Sequence, residues 1–104
     1  MNNLQIFDSP DFGQIRTIQQ NGEPWFVGKD VADILGYQNG SRDVNRHVDE
    51  DDRQNYQNGT FESNRGLTII NESGLYSLIL SSKMPKAKEF KRWVTSEVIP
   101  AIRK

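Results

Sequence analysis

Apolar and polar residues alternate along the first part of the chain, as is typical of strands with one buried face. The alternation covers Leu4–Ser9 and Gly13–Gln20. Asn21 and Gly22 follow, and both residue types tolerate the positive φ angles of a tight hairpin turn. Residues 24–27 then form a short returning strand, with its proline confined to the strand start or to an edge. The pattern predicts a small antiparallel sheet.

Helical spacing replaces this alternation over residues 29–35, where apolar positions recur three and four residues apart. Gly36 can end that helix in a left-handed conformation. A second short helix is predicted to begin with Ser41 as its N-cap and to place Val44 and Val48 on one face. The two helices around a turn predict a helix-turn-helix-like pair.

The rest of the chain predicts one more strand and two more helices. Residues 49–66 are polar and form either a loop or a weak exposed hairpin around Asn58 and Gly59. Residues 67–71 form a strand, and Asn71 caps the helix that follows. The last helix is predicted to carry Pro85 in its first turn and to end at Pro100. Its apolar face consists of Ala87, Phe90, Val94 and Val98, beside Trp93, and its polar face of Lys88, Lys91, Arg92 and Thr95.

These elements predict a single α+β domain over residues 1–104, with a small antiparallel sheet and about four short helices. The chain has no cysteine and one histidine, which excludes disulfides, thiolate metal sites and histidine-rich metal centres. It begins without a signal-peptide pattern, and no run approaches the ~18 apolar residues of a membrane span. We expect a cytoplasmic domain with no metal, no cofactor and no membrane contact.

Catalytic motifs are also missing. Ser73 lacks the glycine two residues earlier that a nucleophile turn requires, and Asn71 and Ser73 suit a helix start better. Residues 49–52 pack four acids consecutively, without the alternating spacing of a calcium loop. "GKD" at residues 28–30 lacks the glycines of a phosphate-binding loop. We expect no enzyme activity.

Charge is unevenly distributed although the formal net charge is -1. Residues 1–82 hold six Lys and Arg against twelve Asp and Glu, whereas residues 83–104 hold seven against two. Such an uneven field can attract phosphates locally. The acidic total is therefore a weak objection to nucleic-acid binding.

The helical pair has the residue types of a DNA-binding helix-turn-helix: a small residue at Ala32, a turn glycine at Gly36 and an apolar anchor at Val44. Its turn is about two residues longer than in the tightest versions, which favours a looser or wing-type variant. Three polar residues of the second helix suit base edges in the major groove, namely Arg42, Asn45 and Arg46. The alternative is a short amphipathic helix with a solvated polar face, in which Asp43 holds His47 one turn later.

Basic residues gather at the start of the last helix, where they can hold phosphates without reading sequence. The five are Lys83, Lys86, Lys88, Lys91 and Arg92. The alternative is a helix kept soluble by its lysines. The two basic groups reinforce each other only if they face the same way.

Several blocks, in order, resemble the N-terminal domain of the BRO family, found in phage and prophage antirepressors and in baculovirus BRO proteins. They are "NGEPWFVGKDVADILGY", "RHVDEDD" and "TIINESGLYSLILSSKMPKAKEFKRWVTSEVIPAIRK", and the resemblance runs over residues 15–104 except for a poor match at residues 53–65. The matching residues are Trp25, Phe26, Asp30, Val31, Leu35, Gly36, Tyr37, His47, Val48, Asn71, Glu72, Ser73, Gly74, Leu75, Tyr76, Phe90, Trp93, Val94, Pro100 and Ile102. The resemblance implies a nucleic-acid-binding module, usually followed by a separate C-terminal domain.

The resulting hypothesis is a DNA-binding regulatory domain of a phage or prophage antirepressor, working on double-stranded DNA in the bacterial cytoplasm and able to act as a homodimer. The rival hypothesis is a protein-interaction module that engages a phage repressor directly. In that case the acidic residues 49–52 could mimic nucleic acid.

Overall fold

In the described part of the chain, the sheet has five antiparallel strands in the order β1-β2-β3-β5-β4. A computed structural model describes residues 4–56 and 67–102 of the chain. The strands are β1 (Leu4–Ser9), β2 (Gly13–Gln20), β3 (Glu23–Val27), β4 (Arg53–Tyr56) and β5 (Leu67–Ile70). The connection from β3 to β5 contains two helices and β4. The edge strand β4 therefore precedes β5 in the sequence, although β5 lies between β3 and β4 in the sheet.

Helices follow the first three strands and the last strand. They are α1 (Gly28–Ile34), α2 (Gly40–His47), α3 (Glu72–Ser81), α4 (Ala87–Trp93) and α5 (Ile99–Ile102). A short 3₁₀ turn occupies Glu50–Asp52, and a π-helical turn at Val94–Val98 joins α4 to α5. This architecture confirms the predicted α+β class.

The hairpin predicted at Asn21 and Gly22 is present. Asn21 and Gly22 have φ angles of 54° and 78°, as a tight turn between β2 and β3 requires. β4 pairs with β5 in antiparallel register, from Arg53 opposite Ile70 to Tyr56 opposite Leu67. The partner of β4 is therefore the strand predicted at residues 67–71 and not a segment within residues 49–66, and Asn58 and Gly59 lie outside the described residues.

Alternation along the central strands divides the apolar residues between two faces. Phe26 and its partner Ile70 face the helices and join the main core, while Val27 and its partner Ile69 belong to a smaller cluster on the other face. The main core also includes buried residues from every α-helix, among them Val31, Val44, Leu75, Leu78, Phe90 and Ile102. The apolar stripes predicted for the helices therefore form the core.

An ion pair fixes α1 against the sheet where β3 ends. The ladder between β2 and β3 ends at Thr17 opposite Phe26, so the backbone N–H of Arg16 lies beyond it. That N–H donates to the carboxylate of Asp30 at 3.0 Å, and the Arg16 guanidinium donates to the same carboxylate through Nε and Nη2, each at 2.8 Å. Asp30 in the first turn of α1 thus takes the place of a strand partner for the backbone N–H of Arg16.

Three predicted helix boundaries were wrong. The N-cap of α2 is Asn39 rather than Ser41, because the Asn39 side chain accepts a hydrogen bond from the backbone N–H of Arg42. Pro85 lies in the turn before α4, which begins at Ala87. Pro100 does not end the helical segment, since helical structure continues through it to Ile102.

The π-helical turn explains how Pro100 is accommodated. The backbone N–H of Ile99 bonds to Val94 O, five residues back instead of four, so the turn before the proline is widened. The hydroxyls of Thr95 and Ser96 donate to carbonyls in the preceding turn. With this wider turn, the helical segment continues through Pro100, where a regular α-helix would lose a donor and meet a steric clash.

Candidate nucleic-acid interface

The polar face of α2 points away from the core. Its anchors Val44 and Val48 are buried, and the Asn39 cap fixes the start of the helix. The three residues predicted to address base edges are all exposed: Arg42, Asn45 and Arg46. The helix therefore presents the predicted residues outward.

Arg46 lies beside a cavity of about 440 Å³ at the carboxyl ends of α1, α2 and α3. Lys83, from the connection between α3 and α4, lines the same cavity. One residue from each of the two predicted basic groups therefore meets here, although 37 positions separate them in the sequence.

Asn45 points into a different groove. This groove lies between α2 and the β4–β5 hairpin, encloses about 240 Å³, and is lined by Glu50, Arg53, Gln54, Asn55 and Thr68 together with Asn45. Asn45 and Arg46 are neighbours in sequence, but they flank opposite sides of the exposed face. Sequence reasoning did not select Gln54 and Asn55, since their segment showed only a polar composition.

The basic residues of α4 lie on its exposed side, away from the apolar face that is buried in the core. Ala87 and Phe90 pack into the core, whereas all the predicted phosphate-binding residues of this region are exposed: Lys83, Lys86, Lys88, Lys91 and Arg92. Lys91 Nζ lies 5.9 Å from the centroid of the Tyr76 ring on α3. Because α3 packs against both α2 and α4, Lys91 and Arg46 lie on two helices that share this neighbour.

Acidic residues follow directly after α2. Asp49, Glu50 and Asp51 are exposed, whereas Asp52 accepts a hydrogen bond from Asn71 Nδ2 at 3.1 Å. Asp52 therefore has a structural role at the start of α3, and of the exposed acids Glu50 lines the same groove as Asn45.

Tyr37 and His47 form the aromatic wall of the cavity beside Arg46. Their ring centroids are 5.4 Å apart, and the Tyr37 hydroxyl donates to Leu78 O at 2.7 Å. Burial raises the pKa of Tyr37, the hydrogen bond with Ser81 opposes that shift, and the nearby Asp43 charge adds to it. The Asp43 carboxylate accepts from the backbone N–H of Asn39, so the structure shows no support for an Asp43–His47 pair.

Within residues 4–56 and 67–102, no group of three or more His, Asp or Glu side chains is arranged to hold a metal ion. In the same residues, no helix has the length and apolar content needed to cross a membrane.

Comparison with known proteins gives a consistent family. The model of the BRO family, N-terminal domain, matches residues 14–100. An uncharacterized protein of Haemophilus influenzae is 39% identical over 87 residues, which cover 84% of this chain and 43% of the relative. The putative Bro-N domain-containing protein 289L of Invertebrate iridescent virus 6 is 34% identical over 110 residues, covering 88% and 26%.

A third relative is the uncharacterized Bro-N domain-containing protein L2 of Acanthamoeba polyphaga mimivirus, 32% identical over 114 residues that cover 97% of this chain and 46% of the relative. The chain thus spans less than half the length of these curated relatives. No solved structure matches it.

Proposed function

Because the chain belongs to the BRO family through its N-terminal domain, we propose that it is a DNA-binding regulatory domain of the antirepressor type. The partner is double-stranded DNA. The bases are addressed by α2, and the phosphates are held by the connection between α3 and α4 and by α4 itself.

The observation that carries this proposal is the meeting of Arg46 and Lys83 at one cavity. Among residues 4–56 and 67–102, no acidic side chain lines that cavity, although the charge of Asp43 acts on Tyr37 in its wall. A duplex carries one negative charge per ~1.7 Å of its axis, so two cations at one cavity attract it to this surface, where Arg46 addresses a base edge and Lys83 a phosphate. Lys91, whose Nζ lies 5.9 Å from the Tyr76 ring of α3, adds a further exposed cation.

The dimensions of α2 suit the major groove. The groove is ~12 Å wide, and a helix such as α2 is about 10–12 Å in diameter with its side chains, so the groove can admit it. Arg42 and Arg46 are four residues apart, so they lie one above the other on the exposed face. Arginine can donate two hydrogen bonds to guanine, and Asn45 can pair in the same way with adenine.

Lys88 provides a clean test because the described part of the chain shows no hydrogen bond or ion pair for it. We expect the wild-type affinity for a random duplex to fall by roughly three to four decades per decade of salt if about four phosphates are neutralised. Lys88→Glu should weaken binding and lower that slope by about one. Fluorescence anisotropy with a labelled duplex over a salt series measures both quantities.

Lys29→Glu is the matched control, since it changes the net charge equally at an exposed lysine of α1 outside the proposed phosphate-binding set. It should leave the slope unchanged. Equal losses of duplex affinity in Lys88→Glu and Lys29→Glu would mean that only the net charge matters, which would contradict the phosphate assignment. If the double variant Lys88→Glu/Lys91→Glu keeps full duplex affinity at low salt, α4 is not part of the interface.

A second function is favoured by one surface residue. Leu80 on α3 is 81% exposed and Met84, in the connection after α3, is 42% exposed, which leaves apolar surface that a partner protein can cover. In this alternative the domain engages a phage repressor directly. Leu80→Asp should change stability by less than about 0.5 kcal/mol. Loss of repressor capture in that variant, with duplex binding intact, would identify the protein contact as the main function.

A further inference from the structure

The cavity beside Arg46 has the features of a small-ligand site in addition to any role at a duplex. Its volume of about 440 Å³ falls within the roughly 300–1,000 Å³ of typical ligand pockets. Tyr37 and Met84 supply apolar surface, while Arg46, His47 and Lys83 supply nitrogen donors. A ligand that fits must combine an anionic group with a flat apolar body.

The cations of the cavity are available to such a ligand. Basic residues at helix carboxyl ends often serve only to bind the last carbonyls of the helix. Here internal donors already bind several of them: the Ser82 hydroxyl donates to Leu35 O at 2.9 Å, and the Tyr37 hydroxyl donates to Leu78 O. Across residues 4–56 and 67–102, Arg46 and Lys83 make no ion pair or hydrogen bond.

Met84 forms part of the apolar lining of the cavity. Its Cγ and Sδ atoms lie only 2.7 Å from the position that a Cβ would take on Gly36, so a side chain at residue 36 would displace the methionine. Met84 is an adaptable apolar side chain next to the Tyr37 and His47 rings. This wall suits a planar ring, because bases stack on aromatic side chains.

We propose that the cavity binds a single nucleotide, with the phosphate at Arg46 and Lys83 and the base against Tyr37, His47 and Met84. The nucleotide has two possible sources, a free nucleoside monophosphate or an unpaired nucleotide at the end of a DNA strand. This proposal goes beyond duplex binding and does not require it, since a duplex presents stacked, paired bases that cannot enter a cavity of this size.

The test uses the isotope-labelled chain, titrated with deoxyadenosine monophosphate and followed through backbone amide signals. We expect saturable shifts centred on Gly36, Ser82 and Met84. Deoxyadenosine lacks the phosphate group and inorganic phosphate lacks the base, so each should bind at least about tenfold more weakly than the nucleotide. Lys83→Ala should weaken nucleotide binding about tenfold or more, whereas Lys29→Ala, an exposed lysine outside the cavity, should not.

Three results would overturn the proposal: no saturable shift at millimolar nucleotide, inorganic phosphate binding as tightly as the nucleotide, or equal losses in the two lysine variants. Thermal unfolding of each variant shows whether the fold is retained. A duplex with a one-nucleotide overhang, compared with a blunt duplex, separates the sources. Tighter binding of the overhang supports a strand end, and equal binding of both beside saturable nucleotide binding supports the free nucleotide.

Blunt-duplex affinity, measured in the same series, keeps the two proposals separate. Nucleotide binding without duplex binding supports this site and contradicts the DNA-binding function. Duplex binding without nucleotide binding supports the DNA-binding function and contradicts this site.

Discussion

Replacing Asp30 with alanine should destabilise the domain by about 2–4 kcal/mol. The carboxylate accepts three hydrogen bonds from Arg16, and the two side chains are 14% and 31% exposed. One hydrogen bond to a charged group contributes about 1.5–3 kcal/mol, but bonds that share the same two residues are not additive. Breaking a fully buried pair costs about 3–5 kcal/mol, and the partial exposure of Arg16 lowers that figure.

Urea unfolding of the wild-type protein, Asp30→Ala and Asp30→Asn measures this loss. Asparagine keeps one oxygen for the Arg16 backbone N–H, so it should lose less than alanine. Adding Arg16→Met completes a double-mutant cycle, in which the coupling isolates the side-chain pair from the backbone hydrogen bond. A loss below about 0.5 kcal/mol in Asp30→Ala, the usual range for a surface change, would refute the role of this pair in fixing α1 against β2.

Two further changes test the helix cap and the cavity wall. Asn71→Ala should cost about 1–2 kcal/mol in urea unfolding, because Asn71 Oδ1 accepts from the Gly74 N–H at 2.9 Å and its Nδ2 also binds Asp52; an unchanged midpoint would contradict the cap. For Tyr37, whose folded-state pKa lies above its ordinary value of 10.0, the unfolded chain loses its proton at lower pH than the folded one. The contribution to stability is therefore complete below about pH 10 and is lost as the pH rises through the folded pKa. Tyr37→Phe should lack this alkaline fall in the free energy of unfolding, and an identical pH profile in the two proteins would contradict it.

Local signals predicted most of the fold. The Asn21–Gly22 turn and the Asn71 cap depend on residues that are adjacent or three apart, so a single sequence contains the whole interaction. The apolar stripe of α4 is equally local, because its period directly identifies the buried face. Each of these predictions was confirmed.

The errors occurred where two local solutions compete. Asn39 and Ser41 are both favourable N-cap residue types. Where α2 begins depends on how the helix packs through the buried Val44, and this packing makes Asn39 the N-cap. Pro100 normally breaks a helix, but the widened turn ending at Val98 absorbs it. Sequence periodicity does not reveal such a turn in advance.

The candidate site was predicted in its parts rather than in its arrangement. Exposure of the eight basic and polar residues follows from the apolar positions between them, and the structure agrees. The meeting of Arg46 with Lys83, and the separation of Asn45 from Arg46, depend on how α3 lies against its neighbours. Tyr37 and His47 were identified in the sequence as family-matching residues, but their contact is tertiary.

The π-helical turn also determines which side of the last helical residues, up to Ile102, faces the core. An α-helix advances about 100° per residue, so one extra residue in a turn rotates everything after it by roughly that angle. This rotation brings Ile99 and Ile102 onto the buried side already occupied by Phe90 and Val94. Shortening Val94–Val98 by one residue would give a more regular helix but turn its last apolar side chains toward water. The bulge and the two isoleucines are therefore a matched set, and an evolutionary change in one requires a change in the other.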